Sequence, residues 1–194
     1  MKPTDLYLGA TETFSVLIPG MLICLLTAYS LYDFNIIKNT NTSTWLLFLM
    51  IAYPVGHILF SVGSAWDEIY NKFNKQDDDS NYYLVQIAKI RSEKDTEHEN
   101  SSINKYKWSR AVLSTLHTDG YNEVLREEAD SKLFRSLILP ILVFAIHLYH
   151  FDIMASIAGL FVAWLAYRMY RRERTKACLT AYTHVITLHQ LGKL

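Results

Sequence analysis

Five polar side chains, Tyr53, His57, Ser61, Ser64 and Glu68, are spaced by four, four, three and four residues inside an otherwise apolar stretch. That spacing places them on one face of a helix. No charged side chain lies between Asn39 and Trp66, so the stretch exceeds the ~20 residues a helix needs to cross a bilayer. An imidazole titrates near neutral pH, and His57 at membrane depth could act as a proton-sensing gate or a pore-lining group. The competing reading is a neutral imidazole hydrogen-bonded to a neighbouring helix, with Gly56 beside it allowing close approach. Polar groups facing lipid are costly, so the stripe is expected to face another helix, another subunit or a water-filled path.

Other constellations carry less chemistry. His147, His150 and Asp152 are close enough in sequence to suggest a metal, but polar tips are ordinary at a membrane interface and no metal is expected. Arg110 and His117 have a spacing used by one large family of small helical ribonucleases, with Ala111 where that family has a polar residue. Tyr106, Lys107, Trp108 and Arg110 interleave aromatic and basic groups, a composition shared by nucleotide contacts and by helices lying against lipid headgroups; nucleic acid is not expected as a partner. The chain contains no glycine-rich phosphate loop, no Gly-x-Ser-x-Gly elbow and no His-Glu-x-x-His. No catalytic residue, cofactor or enzymatic activity is expected.

The elements that hold these residues follow from the distribution of charge. The 194 residues sum to a formal net charge of zero, and the apolar half of them is gathered into blocks. Thr13 to Tyr32 is a second uncharged run, with Pro19-Gly20 a third of the way in; proline there implies either a packing kink or a gating hinge. Gly20, Cys24 and Thr27 form a small face suited to packing against the next span, whose own small residues are Ala52, Gly56 and Gly63. Ser136 to Phe151 and Ile153 to Tyr167 are shorter blocks of sixteen and fifteen residues, read as two tilted spans or a re-entrant hairpin, with Arg135 and Arg168 snorkelling at their edges. Ala155, Gly159 and Ala163 recur every four residues on the fourth block, a ladder for close helix packing.

Between the hairpins, residues 67–135 hold eleven Lys/Arg and fourteen Asp/Glu. Helices are expected near Asn81 to Arg91 and from Asn104 to His117, with Asp119-Gly120 breaking the chain. From Tyr121 one continuous helix is expected to run into the third block. The tail should form a weakly amphipathic helix through Leu179, Tyr182, Val185, Ile186 and Leu188. The two cysteines, Cys24 and Cys178, form no disulfide framework. The early residues lack a basic n-region and a cleavage site, so the first span is expected to be retained. The middle region, Arg168 and the tail together hold seventeen Lys/Arg, against Lys38 alone in the hairpin connections, which puts both termini and the middle region on the cytoplasmic side.

The expected fold is therefore all-α, with four transmembrane helices in two hairpins and a helical cytoplasmic region. Its parts are a first hairpin (1–66), a cytoplasmic region (67–135), a second hairpin (136–170) and a C-terminal helix (171–194). In plan, and in the strings FSVLIPG (Phe14 to Gly20), YPVGH (Tyr53 to His57), LFRS (Leu133 to Ser136) and YRRERTK (Tyr170 to Lys176), the chain resembles small four-span membrane subunits of bacterial anti-phage defence systems. The resemblance implies a homo-oligomeric inner-membrane effector that works with a cytosolic protein partner and alters membrane permeability or arrests growth. A bundle of four helices packed by small residues has no room for a pore of its own, so conduction would need several copies. Two alternatives stand beside the channel-like reading: a non-conducting anchor that recruits a soluble effector, and an intramembrane enzyme using His57 and Glu68.

Overall fold

The computed structural model describes residues 3–32, 41–65, 67, 78–94 and 104–194, and its described elements are all α-helices. They are α1 (Pro3–Tyr32), α2 (Thr42–Gly63), α3 (Asp78–Lys94), α4 (Lys105–Leu116), α5 (Thr118–Leu148) and α6 (Ile153–Gln190). Three of them, α2, α5 and α6, are long and apolar enough to cross a membrane, which marks a membrane protein. In α1 the apolar part, Thr13–Ala28, is shorter. Glu68 and Lys38 lie outside the described residues, as do the rest of 33–40, 68–77 and 95–103.

The chain divides into two compact units, one of residues 1–71 and 129–171, the other of residues 72–128 and 172–194. In the first unit α1 and α2 are held at backbone distance by glycine. A Cβ on Gly20 would fall 1.9 Å from the Ala52 carbonyl oxygen, and one on Gly56 would fall 1.9 Å from that of Val16. Pro19 is fully buried next to this crossing, and α1 runs through it as one helix. The Ser136 hydroxyl donates to the Ser15 carbonyl at 2.7 Å, joining α5 to α1. In the second hairpin a Cβ on Gly159 would meet the Ala145 Cβ at 2.8 Å, so the small-residue ladder of α6 is used against α5. Ala163 is buried in the same unit, while Ala155 is half-buried. Ile138, Ala166 and Tyr170 form its apolar core with Phe134 and Leu142 packed around them.

The second unit has a core of Ile87, Tyr106, Leu113, Val124, Ala181, Tyr182, Val185 and Leu188. Positions 177, 181, 185 and 188 are all buried, at the helical spacing that keeps one stripe of α6 apolar. Two expectations are revised here. The break falls at His117 (φ −147, ψ 79) rather than at Asp119-Gly120, and Gly120 lies in the first turn of α5. A glycine is tolerated there because first-turn amides have no partner inside the helix, and the Gly120 N–H instead donates to Nδ1 of His117 at 2.7 Å. Secondly, Arg135 does not snorkel. Its side chain is 7% exposed, turned inward beneath Gly63 and over the Phe60 ring at 4.9 Å. Arg168 stays exposed, with its guanidinium over the Trp164 ring.

Candidate functional site: an outward polar stripe ending in a buried ion pair

Helix α2 begins at Asn41, whose side chain accepts the Thr44 N–H at 3.0 Å and so satisfies one of the open amides of the first turn. From that start, helical phase puts Ala52, Gly56 and Gly63 on the buried side and leaves Tyr53, His57, Ser61 and Ser64 exposed. The stripe thus faces away from every other described helix of its own unit. The rings of Tyr53 and His57 meet edge to face, with centroids 4.7 Å apart. Ser61 Oγ donates to the His57 carbonyl at 2.9 Å, and Ser64 Oγ to the Ser61 carbonyl at 2.6 Å, so both hydroxyls are satisfied within α2. Pro54, next in sequence to Tyr53, has no N–H to offer the Met50 carbonyl, which lies on this same face.

Just past the described part of the stripe lies Asp67, whose N–H donates to the Ser64 carbonyl at 3.0 Å. Its carboxylate accepts from Arg135 Nη1 on α5 through one oxygen and from the Tyr170 hydroxyl on α6, at 2.5 Å, through the other. Both oxygens of one carboxylate therefore tie three segments of the first unit together. The Nε of Arg135 is buried without a hydrogen-bond partner among the described residues. Removing a cation from water is costly unless it is paired, so Arg135 depends on Asp67 for most of its compensation.

Sequence reasoning missed this group. The available signal was an acid directly after one uncharged run and an arginine directly before another, which two packed hairpins bring to similar depth. The other sequence candidates separate. Asp152 caps α6 through bonds to the N–H groups of Met154 (2.8 Å) and Ala155 (3.3 Å), and His147 lies 3.5 Å from Ser30 Oγ. No three His, Cys, Asp or Glu residues converge for a metal among the described residues. Arg110 pairs with Glu128 at 2.7 Å while His117 holds the Gly120 amide, so those two side chains serve different partners.

In the second unit, the Tyr106 hydroxyl donates to Glu128 at 3.3 Å under the Arg174 guanidinium, 4.9 Å from the ring. Burial, followed by the Glu128 charge, pushes the Tyr106 phenol well above its ordinary value. Burial works against the charge of Arg110, but its hydrogen bond with Tyr121 and the Glu128 carboxylate outweigh that and raise its pKa. Burial likewise pushes up the Cys178 thiol, which leaves it a poor nucleophile.

No family model matches this chain, and neither a curated protein nor a solved structure matches it.

Proposed function

We propose that the protein is a homo-oligomeric, channel-like or effector subunit of a bacterial inner membrane. Its four spans form two hairpins, its termini and charged middle region are cytoplasmic, and a cytosolic protein partner or ligand sets its activity. One observation carries this reading. The polar stripe of α2 lies on the outside of its unit, because the glycine face beside it is already occupied by α1. An imidazole, a phenol and a proline-freed carbonyl aligned on the lipid-accessible side of a span are costly against hydrocarbon. A second copy, or water held between copies, relieves that cost.

Continuity of α5 and α6 through both units supports a coupling role, since each contributes residues to the soluble and to the apolar part. The resemblance to subunits of anti-phage defence systems adds the expectation that activation alters permeability or arrests growth.

A specific observation favours the anchor as second reading: Ser61 and Ser64 bond back to their own helix and so need no partner. The test replaces His57 with Leu and Ser61 with Ala and measures growth and membrane potential in cells expressing the protein at matched levels. A conducting assembly loses its effect on potential in the variant. An anchor keeps its activity, and that result would remove the channel-like reading.

A further inference from the structure

Helix α4 carries Lys107, Arg110, Ala111 and Ser114 at intervals that place them along one face. Together with Tyr121 from the second turn of α5 they line an open groove of about 210 Å³ within the second unit. No carboxylate lines it among the described residues. Glu128, which pairs with Arg110, is the more buried partner, with a side-chain exposure of 10% against 30% for the arginine. Its bond at 2.7 Å and the Tyr121 contact fix the guanidinium in place. Lys107 pairs with no acidic side chain among the described residues. Ala111 forms a small floor between the two cations and Ser114, and it is exposed.

We propose that this groove binds the phosphoryl group of a small phosphomonoester, supplied either by a soluble metabolite or by a lipid headgroup. Three features select that chemistry. Lys107 supplies the net positive charge, and Arg110, its Nη1 held by Glu128, offers the remaining N–H donors of its fork to phosphate oxygens. The hydroxyls of Ser114 and Tyr121 add donors beyond what a flat carboxylate needs. Ser114 Oγ now donates to the Ala111 carbonyl at 2.7 Å, on an exposed surface where water can replace it when the hydroxyl turns to a ligand. The groove is open and below the ~300 Å³ at which pockets begin to enclose a whole drug-sized molecule, so the part of a ligand it holds is small. A phosphoryl group with a short carbon stub fits, whereas a nucleobase would lie outside. This inference stands apart from the reading of the α2 stripe, because every residue in it belongs to the second unit.

The test reads the acylation rate of the Lys107 amine by mass spectrometry on the full chain, with Lys89 as an internal control. One arm adds glycerol 3-phosphate to protein in a neutral detergent, with glycerol as the blank. The other compares nanodiscs of phosphatidylcholine with nanodiscs containing phosphatidic acid. Protection of Lys107 by roughly fivefold, the upper end for an exposed charge pair, is expected in at least one arm. Protection in the first arm assigns a soluble ligand, and protection in the second alone assigns the headgroup. Ala111→Leu fills the floor and should abolish protection. Ser114→Asp, on an exposed position, should do so by repulsion and covers the case in which the larger side chain disturbs the helix. The proposal is overturned if neither arm protects Lys107, or if both variants are protected like the unaltered protein.

Discussion

Replacing Asp67 with alanine should destabilise the first unit more than replacing its partner Arg135 with methionine. The asymmetry follows from where each charge sits: the Arg135 side chain is 7% exposed and that of Asp67 is 29% exposed. Removing the carboxylate strands a buried guanidinium whose Nε already lacks a partner, and it also deprives Tyr170 of its acceptor. Breaking a buried pair by deleting one member costs about 3–5 kcal/mol, and partial access of water to the vacated site puts Asp67→Ala near 3 kcal/mol. For a chain of this size that is a fall in Tm of roughly 6–12 °C. Arg135→Met leaves a carboxylate that water can reach and that still accepts from Tyr170, so its cost should be about half as large. The double variant removes both charges and should be more stable than Asp67→Ala alone, which requires a coupling energy above about 1.5 kcal/mol. The assay is thermal unfolding of the detergent-solubilised protein, followed by circular dichroism at one fixed scan rate because such proteins seldom refold. If the two single shifts in Tm add within about 1–2 °C in the double variant, Arg135 does not depend on Asp67, and the reasoning about this knot fails.

Other outcomes are equally specific. Gly20→Ala or Gly56→Ala places a Cβ 1.9 Å from a backbone oxygen, so α1 and α2 must separate by roughly 1.4 Å to reach the ~3.3 Å of a normal carbon–oxygen contact. Each should cost about 1–3 kcal/mol in the same unfolding assay, since backbone cannot rotate out of the way as a side chain can. Asp152→Ala removes the cap of α6 and should cost about 1 kcal/mol, with amide exchange at Met154 and Ala155 rising first. The raised pKa of Tyr106 means that, above about pH 10, the unfolded chain releases a proton that the folded chain keeps. Stability should be insensitive to this group below that pH and fall as pH rises further, and Tyr106→Phe should remove its share of the alkaline loss.

Much of the fold was legible because helix length and charge placement decide it. The long α5 was readable from an unbroken run of helix-favouring residues that passes into an uncharged block, whereas the fourth block and the tail helix were read as separate parts and the structure joins them in one α6, with no proline between Ile153 and Gln190 to end it. The break at His117 was not readable, because glycine is a breaker only where its amide or its backbone entropy is needed within the helix. Here a histidine three residues earlier in sequence accepts that amide. The stripe itself was visible in the spacing of its residues, but its direction was not. Both sides of α2 carry something a neighbour could want, and only the 1.9 Å approaches at Gly20 and Gly56 reveal which side α1 takes. The inward turn of Arg135 was hidden for a related reason: a charge at the edge of an apolar block looks the same whether it reaches for water or for Asp67 across the bundle.

The account rests on the outward stripe of α2 meeting a second copy of the chain. Single cysteines placed at Tyr53, His57 and Ser61, in a background with Cys24 and Cys178 replaced by alanine, can be oxidised in native membranes and scored for cross-linked dimers. Ile51, Ile58 and Val62 serve as controls, being comparably exposed but on the neighbouring face of the helix. Dimers concentrated at the three stripe positions are expected. Equal or stronger cross-linking at the control positions, or none at any position, would contradict the claim that this face is buried between copies.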